Sequence, residues 1–136
     1  VIDYSQEEVA AKVAVLTGGL GVAVVYDGVG KDTWAASLKS LARRGVMVTF
    51  GNASGPVPPF APLELSAKSL SVTRPRLFDY IATTEELDES AQALFAVLAS
   101  GAVKIDIGQT FPLAEARAAH EALEGRRTTG ATLLLP

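Results

Sequence analysis

Apolar positions near the start of the chain recur at the spacing of an amphipathic helix. Val9, Val13 and Leu16 fall on one face of such a helix. The run Ser5–Glu8 has the pattern of a capping box, in which a serine oxygen and a glutamate three residues later satisfy free backbone N–H groups of the first turn. Because Gly18-Gly19 favours helix termination, we predict a helix from Ser5 to this glycine pair.

A strand–helix–strand pattern follows. The apolar run Val22–Tyr26 predicts a strand buried on both faces, as in a parallel sheet. A helix is predicted after Gly28–Gly30, ending near Arg43–Gly45, and the run Val46–Phe50 predicts the next strand. Helical spacing assigns three side chains to the buried face of this helix: Trp34, Leu38 and Leu41. Two strands joined by a helix form the crossover unit of a parallel sheet.

The middle of the chain alternates between loop-forming and regular segments. Glycine and proline are frequent in Gly51–Pro62, which predicts a loop. Leu70–Thr73 then predicts a strand, and Pro75 is suited to open a helical turn. Thr83–Glu86 is a second capping box, and we predict the longest helix after it.

The remaining elements continue this alternation. Apolar side chains form one continuous face of the long helix: Leu87, Ala91, Leu94, Phe95 and Leu98. Gly101 closes this helix, and a strand at Val103–Ile107, a helix from about Leu113 to Leu123 and a terminal strand at Ala131–Pro136 complete the pattern. Since no internal repeat or linker is present, we predict one α/β region of the doubly wound, parallel-sheet kind over residues 1–136.

Composition excludes several classes of protein. The net charge is -3 and the pI is about 5.1, so the chain lacks the basic surface typical of nucleic-acid binding. It has no cysteine, which removes disulfides, thiolate metal ligands and a cysteine nucleophile, and we expect a cytoplasmic protein. No segment has the roughly 20 consecutive apolar residues that a membrane helix needs. The opening Val1–Tyr4, without an initiator methionine, indicates an internal start.

Two glycine pairs approach the dinucleotide-binding pattern G-x-G-x-x-G, whose glycines let the backbone approach a pyrophosphate. Gly19-Leu20-Gly21 lies between a helix and a strand, which is the wrong order, and is better explained as a helix end. Gly28-Val29-Gly30 has the right order, but Thr33 replaces the third glycine and the strand ending in Phe50–Asn52 supplies no acidic ribose ligand. Neither pair is therefore the primary pyrophosphate loop.

Three predicted strand ends still form a candidate binding edge. Asp27–Gly30, Phe50–Asn52 and Thr73–Pro75 would lie together at the carboxyl edge of a parallel sheet, where ligands bind in this class of fold. Glycine, asparagine and proline also serve ordinary turns. The residues alone leave a ligand role and plain turn chemistry equally open.

Other candidate groups have simpler explanations. His120 lies among apolar positions of the last helix and is best explained as structural, and Ser54 lacks the spacing of a nucleophile elbow. Gly30–Asp32 does not complete a nucleotide-triphosphate loop. Arg43-Arg44 suits a helix C-terminus, whose dipole favours cations. Arg126-Arg127 lies in a turn rich in glycine and threonine, where a role in phosphate binding stays open.

Seven stretches form a collinear set of motifs: Val25–Thr33, Val48–Pro56, Leu70–Pro75, Tyr80–Thr83, Ala99–Gly101, Phe111–Leu113 and Thr128–Pro136. They closely resemble the zinc-independent quinone oxidoreductases, which belong with zeta-crystallin in the medium-chain dehydrogenase/reductase superfamily. The resemblance implies the C-terminal part of a Rossmann-like domain, with a terminal strand that packs towards the catalytic domain. In the family a GroES-like catalytic domain and a glycine-rich loop come first, and neither is found within residues 1–136.

The resemblance also implies a cofactor, NADPH, and the residues that bind it. Tyr4 would flank the adenosine 2′-phosphate, Gly28 would lie near the adenine ribose, and Arg126 would hold the cofactor near the C-terminus. The residues near the nicotinamide would be Phe50, Gly51, Asn52, Thr73, Arg74 and Pro75. The implied reaction is hydride transfer to a quinone without a metal, in which no residue of this chain acts as an acid, base or nucleophile.

Two departures from the family pattern affect these expectations. Gly28 stands where the family often has serine, and Lys68-Ser69 lacks an intervening glycine. The second departure shortens the segment before the strand at Leu70–Thr73, through which relatives pair as homodimers. An α,β-unsaturated carbonyl is an alternative acceptor to a quinone. In isolation, the chain is alternatively a non-catalytic domain that dimerises or binds nucleotide weakly.

Overall fold

The computed structural model describes residues 1 to 136 and divides into two compact units, Val1–Tyr80 and Ile81–Pro136. Each unit contains parallel strands connected through helices. The predicted α/β class with parallel pairing is therefore confirmed.

The first unit contains a three-stranded sheet. Its elements in chain order are α1 (Val9–Leu16), β1 (Val22–Asp27), α2 (Trp34–Ser40), β2 (Leu41–Thr49), a 3₁₀ helix (Pro62–Lys68), β3 (Ser71–Thr73) and α3 (Leu77–Tyr80). The strand order is β1-β2-β3, with all pairs parallel. Val48 lies opposite Tyr26 on one side and Thr73 on the other. All three strands thus end at one edge, as the sequence predicted.

A small apolar core holds α2 against this sheet. Trp34, Leu41 and Met47 are buried. Partly buried apolar side chains pack on them: Val22, Val25, Leu38, Val57, Phe60, Leu70 and Val72. The ring centroids of Trp34 and Phe60 are 4.8 Å apart. Because Phe60 belongs to the segment rich in glycine and proline after β2, this contact anchors the segment to the core.

The second unit contains a long helix and a two-stranded sheet. Its elements are α4 (Thr84–Ala99), β4 (Ile107–Pro112), a 3₁₀ helix (Leu113–Glu115), α5 (Ala116–Glu124) and β5 (Ala131–Leu135). The strands β4 and β5 are parallel. The capping box before α4 is confirmed, since the Thr83 hydroxyl accepts from the Glu86 N–H at 3.2 Å and the Glu86 carboxylate accepts from the Thr83 N–H at 3.0 Å.

The predicted capping box before α1 is wrong. The Ser5 hydroxyl donates to the Asp3 carboxylate at 2.7 Å and takes no part in capping. Glu8 is the N-cap residue, and its carboxylate accepts from the Ala11 N–H. The helix therefore begins later than predicted, because a carboxylate in the same run competes successfully for the N-cap position.

The predicted end of α2 is also wrong. The helix ends at Ser40, because Leu41 pairs with Val22 and so belongs to β2. Arg43-Arg44 lies in the strand, where Arg44 has a left-handed φ of 61°. The prediction that these two arginines lie at a helix C-terminus, where the helix dipole favours cations, is therefore wrong.

Three further expectations need correction. The strand β1 is not buried on both faces within this chain, since Tyr26 is 74% exposed. The strand predicted at Val103–Ile107 is instead β4, which begins at Ile107 after an irregular segment. Pro75 precedes α3 but lies outside it.

No helix is both long and apolar enough to cross a membrane.

Candidate functional site at the carboxyl edge of the first sheet

The loops that follow β1 and β2 are joined by backbone hydrogen bonds. The N–H of Phe50 donates to the carbonyl of Asp27 at 2.9 Å, and the N–H of Ala53 donates to the carbonyl of Gly28 at 3.3 Å. The N–H of Ser54 donates to the carbonyl of Val29 at 2.8 Å. Parallel pairing of the strands thus continues into the loops, and the two turns form one surface.

Ser54 strengthens this connection through its side chain. Its hydroxyl donates to the Val29 carbonyl at 2.8 Å and accepts from the Asp32 N–H at 3.0 Å. The Lys31 N–H donates to the carbonyl of Gly55 at 3.1 Å nearby. Ser54 therefore holds the two loops together.

The Asp27 carboxylate organises the turn after β1. Its Oδ1 accepts from the N–H groups of Val29 and Gly30 at 2.8 and 2.9 Å. Its Oδ2 accepts from the hydroxyls of Thr33 and Ser37, both at 2.7 Å. Asp27 is 4% exposed, so four donors replace the water that burial removes. The turn and the first residues of α2 are consequently held together by one side chain.

These hydrogen bonds determine the charge state of Asp27. Burial raises its pKa, but hydrogen bonds from Gly30, Ser37, Thr33 and Val29 together lower it more, so the pKa lies below the ordinary value of 3.8. The carboxylate is therefore ionised at neutral pH.

The sequence prediction named the neighbouring Gly28 and missed the role of Asp27. The available signal was an aspartate directly after a strand, followed by hydroxyl residues six and ten positions later.

Close glycine contacts bring the two turns together. Gly30 has a φ of +90°, and a Cβ atom there would lie 2.7 Å from the carbonyl oxygen of Gly55. A Cβ atom on Gly51 would clash with the backbone of Gly28. Side chains are thus excluded where the loops meet, which leaves backbone groups close together at the sheet edge.

Arg74 connects the end of β3 to the end of β2. Its Nη1 lies 3.1 Å from the Thr49 hydroxyl, 3.1 Å from the Gly51 carbonyl and 3.2 Å from the Asn52 side-chain oxygen. Arg74 and Asn52 are both exposed to solvent. The guanidinium therefore lies over the edge of the sheet, next to the turn that Asp27 and the glycines shape.

The edge as a whole offers hydrogen-bond donors and an aromatic surface. The N–H groups of Gly51 and Asn52 have no acceptor within the chain, and the Asn52 amide and Arg74 guanidinium lie beside them. Phe50 is 55% exposed. Donors of this kind can bind carbonyl, hydroxyl or phosphate oxygens, and an exposed ring can pack on a planar ligand.

The structure brings together most of the predicted site residues. Those at the sheet edge are Gly28, Phe50, Gly51, Asn52, Thr73, Arg74 and Pro75. Tyr4 lies outside the strand ends, in an exposed turn before α1. Arg126 belongs to the second unit, where it is exposed after α5 with a left-handed φ of 53°.

The remaining titratable candidates do not form a metal centre. No group of three or more histidine, cysteine, aspartate or glutamate residues is arranged to hold a metal ion. His120 is exposed on α5 and lines a shallow cavity with Leu123, Thr132 and Leu134. The Arg127 guanidinium lies 3.5 Å from the Glu121 carbonyl, at the C-terminal end of the same helix.

Parallel strands with glycine-rich loops at their carboxyl edge are characteristic of nucleotide-binding α/β domains. A family model described as zinc-binding dehydrogenase matches residues 1–134, and the chain belongs to this family. The donor set found here does not fit the metal in the family's description, since the chain has no cysteine and no metal-binding cluster.

The similar proteins are considerably longer than this chain. It is 52% identical over 139 residues to a quinone oxidoreductase of Salmonella typhimurium, covering 100% of this chain and 42% of the relative. It is 50% identical over 139 residues to quinone oxidoreductase 1 of Escherichia coli, with the same coverage. A 2-haloacrylate reductase of a Burkholderia species is 43% identical over 137 residues, which are 99% of this chain and 41% of that protein. The chain thus spans about two fifths of the length of these relatives.

Solved structures agree with these sequence matches. The Escherichia coli quinone oxidoreductase in complex with NADPH superposes with a TM-score of 0.92 at 50% identity, over 100% of this chain and 43% of that one. A mycobacterial protein in complex with NADPH gives a TM-score of 0.90 at 47% identity, over 99% and 43% of the two chains. The resemblance to quinone oxidoreductases and to the C-terminal part of their Rossmann-like domain is confirmed.

Proposed function

We propose that the chain is the C-terminal, cofactor-binding part of an NADPH-dependent quinone oxidoreductase. The carboxyl edge of the β1-β2-β3 sheet carries this proposal, because tight glycine turns, free N–H groups and Arg74 are combined there at the place where such sheets bind nucleotides. Identity near 50% to quinone oxidoreductases, one of them solved with NADPH, supports it.

The residues proposed to bind NADPH divide into three groups. Gly28 and its turn lie near the adenine ribose, and Tyr4 lies beside the 2′-phosphate. Arg126 holds the cofactor from the C-terminal region. The nicotinamide end is proposed to contact the remaining residues: Phe50, Gly51, Asn52, Thr73, Arg74 and Pro75.

The proposed chemistry is direct hydride transfer: bound NADPH would supply the hydride and become NADP⁺, and a proton from solvent would complete the reduction of the acceptor. The chain's residues supply positioning, since holding two reactants in contact removes much of the entropic barrier to their reaction. The Asp27 carboxylate is buried and accepts four hydrogen bonds, so it serves the turn rather than a substrate proton. We propose that no metal and no acid, base or nucleophile from this chain is required.

The acceptor is proposed to be a quinone, because the most similar relatives named above are quinone oxidoreductases. An α,β-unsaturated carbonyl is the second candidate, since a 2-haloacrylate reductase is 43% identical over the same region. Both acceptors receive hydride and present a carbonyl oxygen. The donor-rich edge described above suits either of them.

We also propose a homodimer that forms through β3 and works in the cytoplasm. The strand Ser71–Thr73 pairs with β2 on one side only, so its other side is available to a symmetry mate. Three residues make a short strand, and Ser69 before it has a left-handed φ of 52°. Sedimentation velocity of the wild type tests this pairing: we expect a dimer, and a monomer would contradict the proposal.

Binding and turnover distinguish the proposal from the alternative of a non-catalytic domain. We expect NADPH to shift the backbone amide resonances of Gly28, Gly51 and Asn52 in a heteronuclear NMR titration of the chain. Residues 1–136 contain no complete G-x-G-x-x-G loop after a strand, so we expect these residues alone to show no quinone-dependent NADPH oxidation. Resonance shifts restricted to segments away from the sheet edge would contradict the proposed site.

A further inference from the structure

The hydrogen bonds of Arg74 determine which way the Asn52 side chain is oriented. An arginine side chain only donates hydrogen bonds, so the Asn52 atom that lies 3.2 Å from Nη1 must be the amide oxygen. The reversed orientation is unfavourable, because it would set two donors against each other. The Asn52 Nδ2 group is therefore directed away from Nη1.

Arg74 is itself held by groups that do not depend on Asn52. The Thr49 hydroxyl, in a residue only 6% exposed, and the Gly51 carbonyl each accept from Nη1 at 3.1 Å. Gly51 is in turn packed tightly against the backbone of Gly28. The guanidinium is thus fixed at the end of the sheet before it contacts Asn52.

The outward groups of this pair are all donors. The Asn52 Nδ2 and the Arg74 Nε and Nη2 have no acceptor within the chain. The Asp27 carboxylate, in the neighbouring turn, is buried and already accepts four hydrogen bonds. A ligand atom beside these three groups therefore meets hydrogen-bond donors.

We infer that Arg74 is a positioning residue that makes Asn52 a hydrogen-bond donor to a ligand oxygen. Because the proposed function places Asn52 at the nicotinamide end, this oxygen is a carbonyl oxygen. This inference rests on the proposed function and specifies the chemistry of its nicotinamide end. Two ligands carry such an oxygen: NADPH, in its carboxamide, and a quinone, in its ring carbonyl.

The ligand-free chain provides the first test. Asn52 is the only asparagine in the sequence, so labelling asparagine side chains with ¹⁵N gives a single amide NH₂ signal pair. We expect this amide to be as rigid as the backbone in the heteronuclear NOE, and to become mobile in Arg74→Leu. Thr49→Val, which removes another acceptor of Arg74 but leaves Asn52 in place, should keep the amide rigid. A mobile wild-type amide would overturn the inference.

The second test uses NADPH and 1,4-benzoquinone separately as probes. We expect the Asn52 side-chain signals to shift with the probe whose oxygen it binds, which distinguishes the cofactor carboxamide from the quinone carbonyl. Asn52→Asp keeps an oxygen for Arg74 but replaces the donor, so it should weaken that probe's binding by about tenfold without loss of thermal stability. The exposed Gln92→Glu on α4 makes the same chemical change away from the proposed site and should leave binding unchanged.

The outcomes separate the inference from the proposed function. Backbone shifts at Gly51 with no shift of the Asn52 amide, or full affinity in Asn52→Asp, would overturn the inference while the nucleotide site stands. If neither probe shifts any resonance, the proposed binding by this chain fails. The rigidity of the amide in the ligand-free chain then still decides whether Arg74 orients Asn52.

Discussion

Gly51 lies so close to Gly28 that a Cβ atom on Gly51 would clash with the Gly28 carbonyl oxygen. The contact joins the ends of the two neighbouring parallel strands β1 and β2. We expect Gly51→Ala to lower the free energy of unfolding by about 2 kcal/mol or more, because the obstructing atoms belong to the backbone and cannot move aside independently. Urea denaturation of the chain measures this loss.

Gly28→Ala provides the matched control. A Cβ atom at Gly28 would meet only ring atoms of Phe50, at 3.1 to 3.9 Å. That side chain is 55% exposed and can rotate. The change should therefore stay within about 0.5 kcal/mol. It also approximates the serine that the family resemblance leads one to expect at this position. Equal losses in the two variants would contradict the proposed difference between backbone and side-chain contacts.

The sequence predicted the edge but not the interactions within it. Apolar runs and glycine turns were sufficient to predict that the ends of β1, β2 and β3 lie together. The contact of Arg74 with Asn52 joins residues 22 positions apart, and its geometry depends on sheet register. The Asp27 network likewise depends on the path of a turn that local spacing does not define.

The predicted ends of helices were wrong where strand pairing or helix capping competes with the local sequence pattern. Leu41 has helical spacing from Leu38, yet it pairs with Val22 and starts β2. Ser5 and Glu8 fit a capping box, but Glu8 caps the helix. By contrast, Thr83 was identified correctly: it is the N-cap residue of α4, and its hydroxyl accepts from the Glu86 N–H.

Ser69 occupies a backbone conformation that favours glycine. The adjacent Lys68 donates to the carbonyls of Lys39 and Leu41 at 2.9 and 2.6 Å, and β3 begins two residues later at Ser71. This short connection requires a φ of 52° at Ser69. We expect Ser69→Gly to raise the free energy of unfolding by about 0.5 to 1 kcal/mol, since the left-handed conformation is costly for residues with a Cβ. Ser69→Ala should give no gain, and an equal gain would refute the conformational explanation.

The two candidate capping residues should respond differently to the same substitution. Thr83→Ala removes the side-chain acceptor for the Glu86 N–H, so we expect a loss of about 1 kcal/mol in the second unit. Ser5→Ala should cost much less, because Ser5 caps no helix and its hydroxyl contacts only exposed neighbours. Thermal denaturation of both variants measures the difference. A larger loss for Ser5→Ala would restore the original capping assignment.

Asp27 should tolerate asparagine better than alanine. Asparagine can keep the oxygen that accepts from Val29 and Gly30, and the hydroxyls of Thr33 and Ser37 can rotate to accept from its amide. Alanine leaves all four donors without the carboxylate. We expect a loss of about 1 kcal/mol for Asp27→Asn and about 3 kcal/mol for Asp27→Ala in urea denaturation. Similar losses in both variants would show that the negative charge, rather than the set of acceptors, is required.

The same carboxylate should make stability depend on pH in the acidic range. Burial raises the pKa of Asp27 and the four hydrogen bonds lower it by more, so the folded-state pKa lies below the ordinary 3.8. Above pH 3.8 the group is ionised in both the folded and unfolded states, and its stabilising contribution is complete. Below pH 3.8 the unfolded chain binds the proton first, so this contribution decreases and is lost as the pH falls through the folded-state pKa.

A pH series of urea denaturation on the wild type and Asp27→Asn checks this dependence. The difference between their free energies of unfolding should be constant above pH 3.8 and shrink below it. Subtracting the two proteins cancels the other carboxyl groups, including Asp3, whose pKa is also lowered by its hydrogen bonds with Ser5. Asp32→Asn makes the same charge change at an exposed position and should give a difference that does not follow this profile. A difference for Asp27→Asn that persists unchanged into strong acid would show that the carboxylate is not what holds the turn.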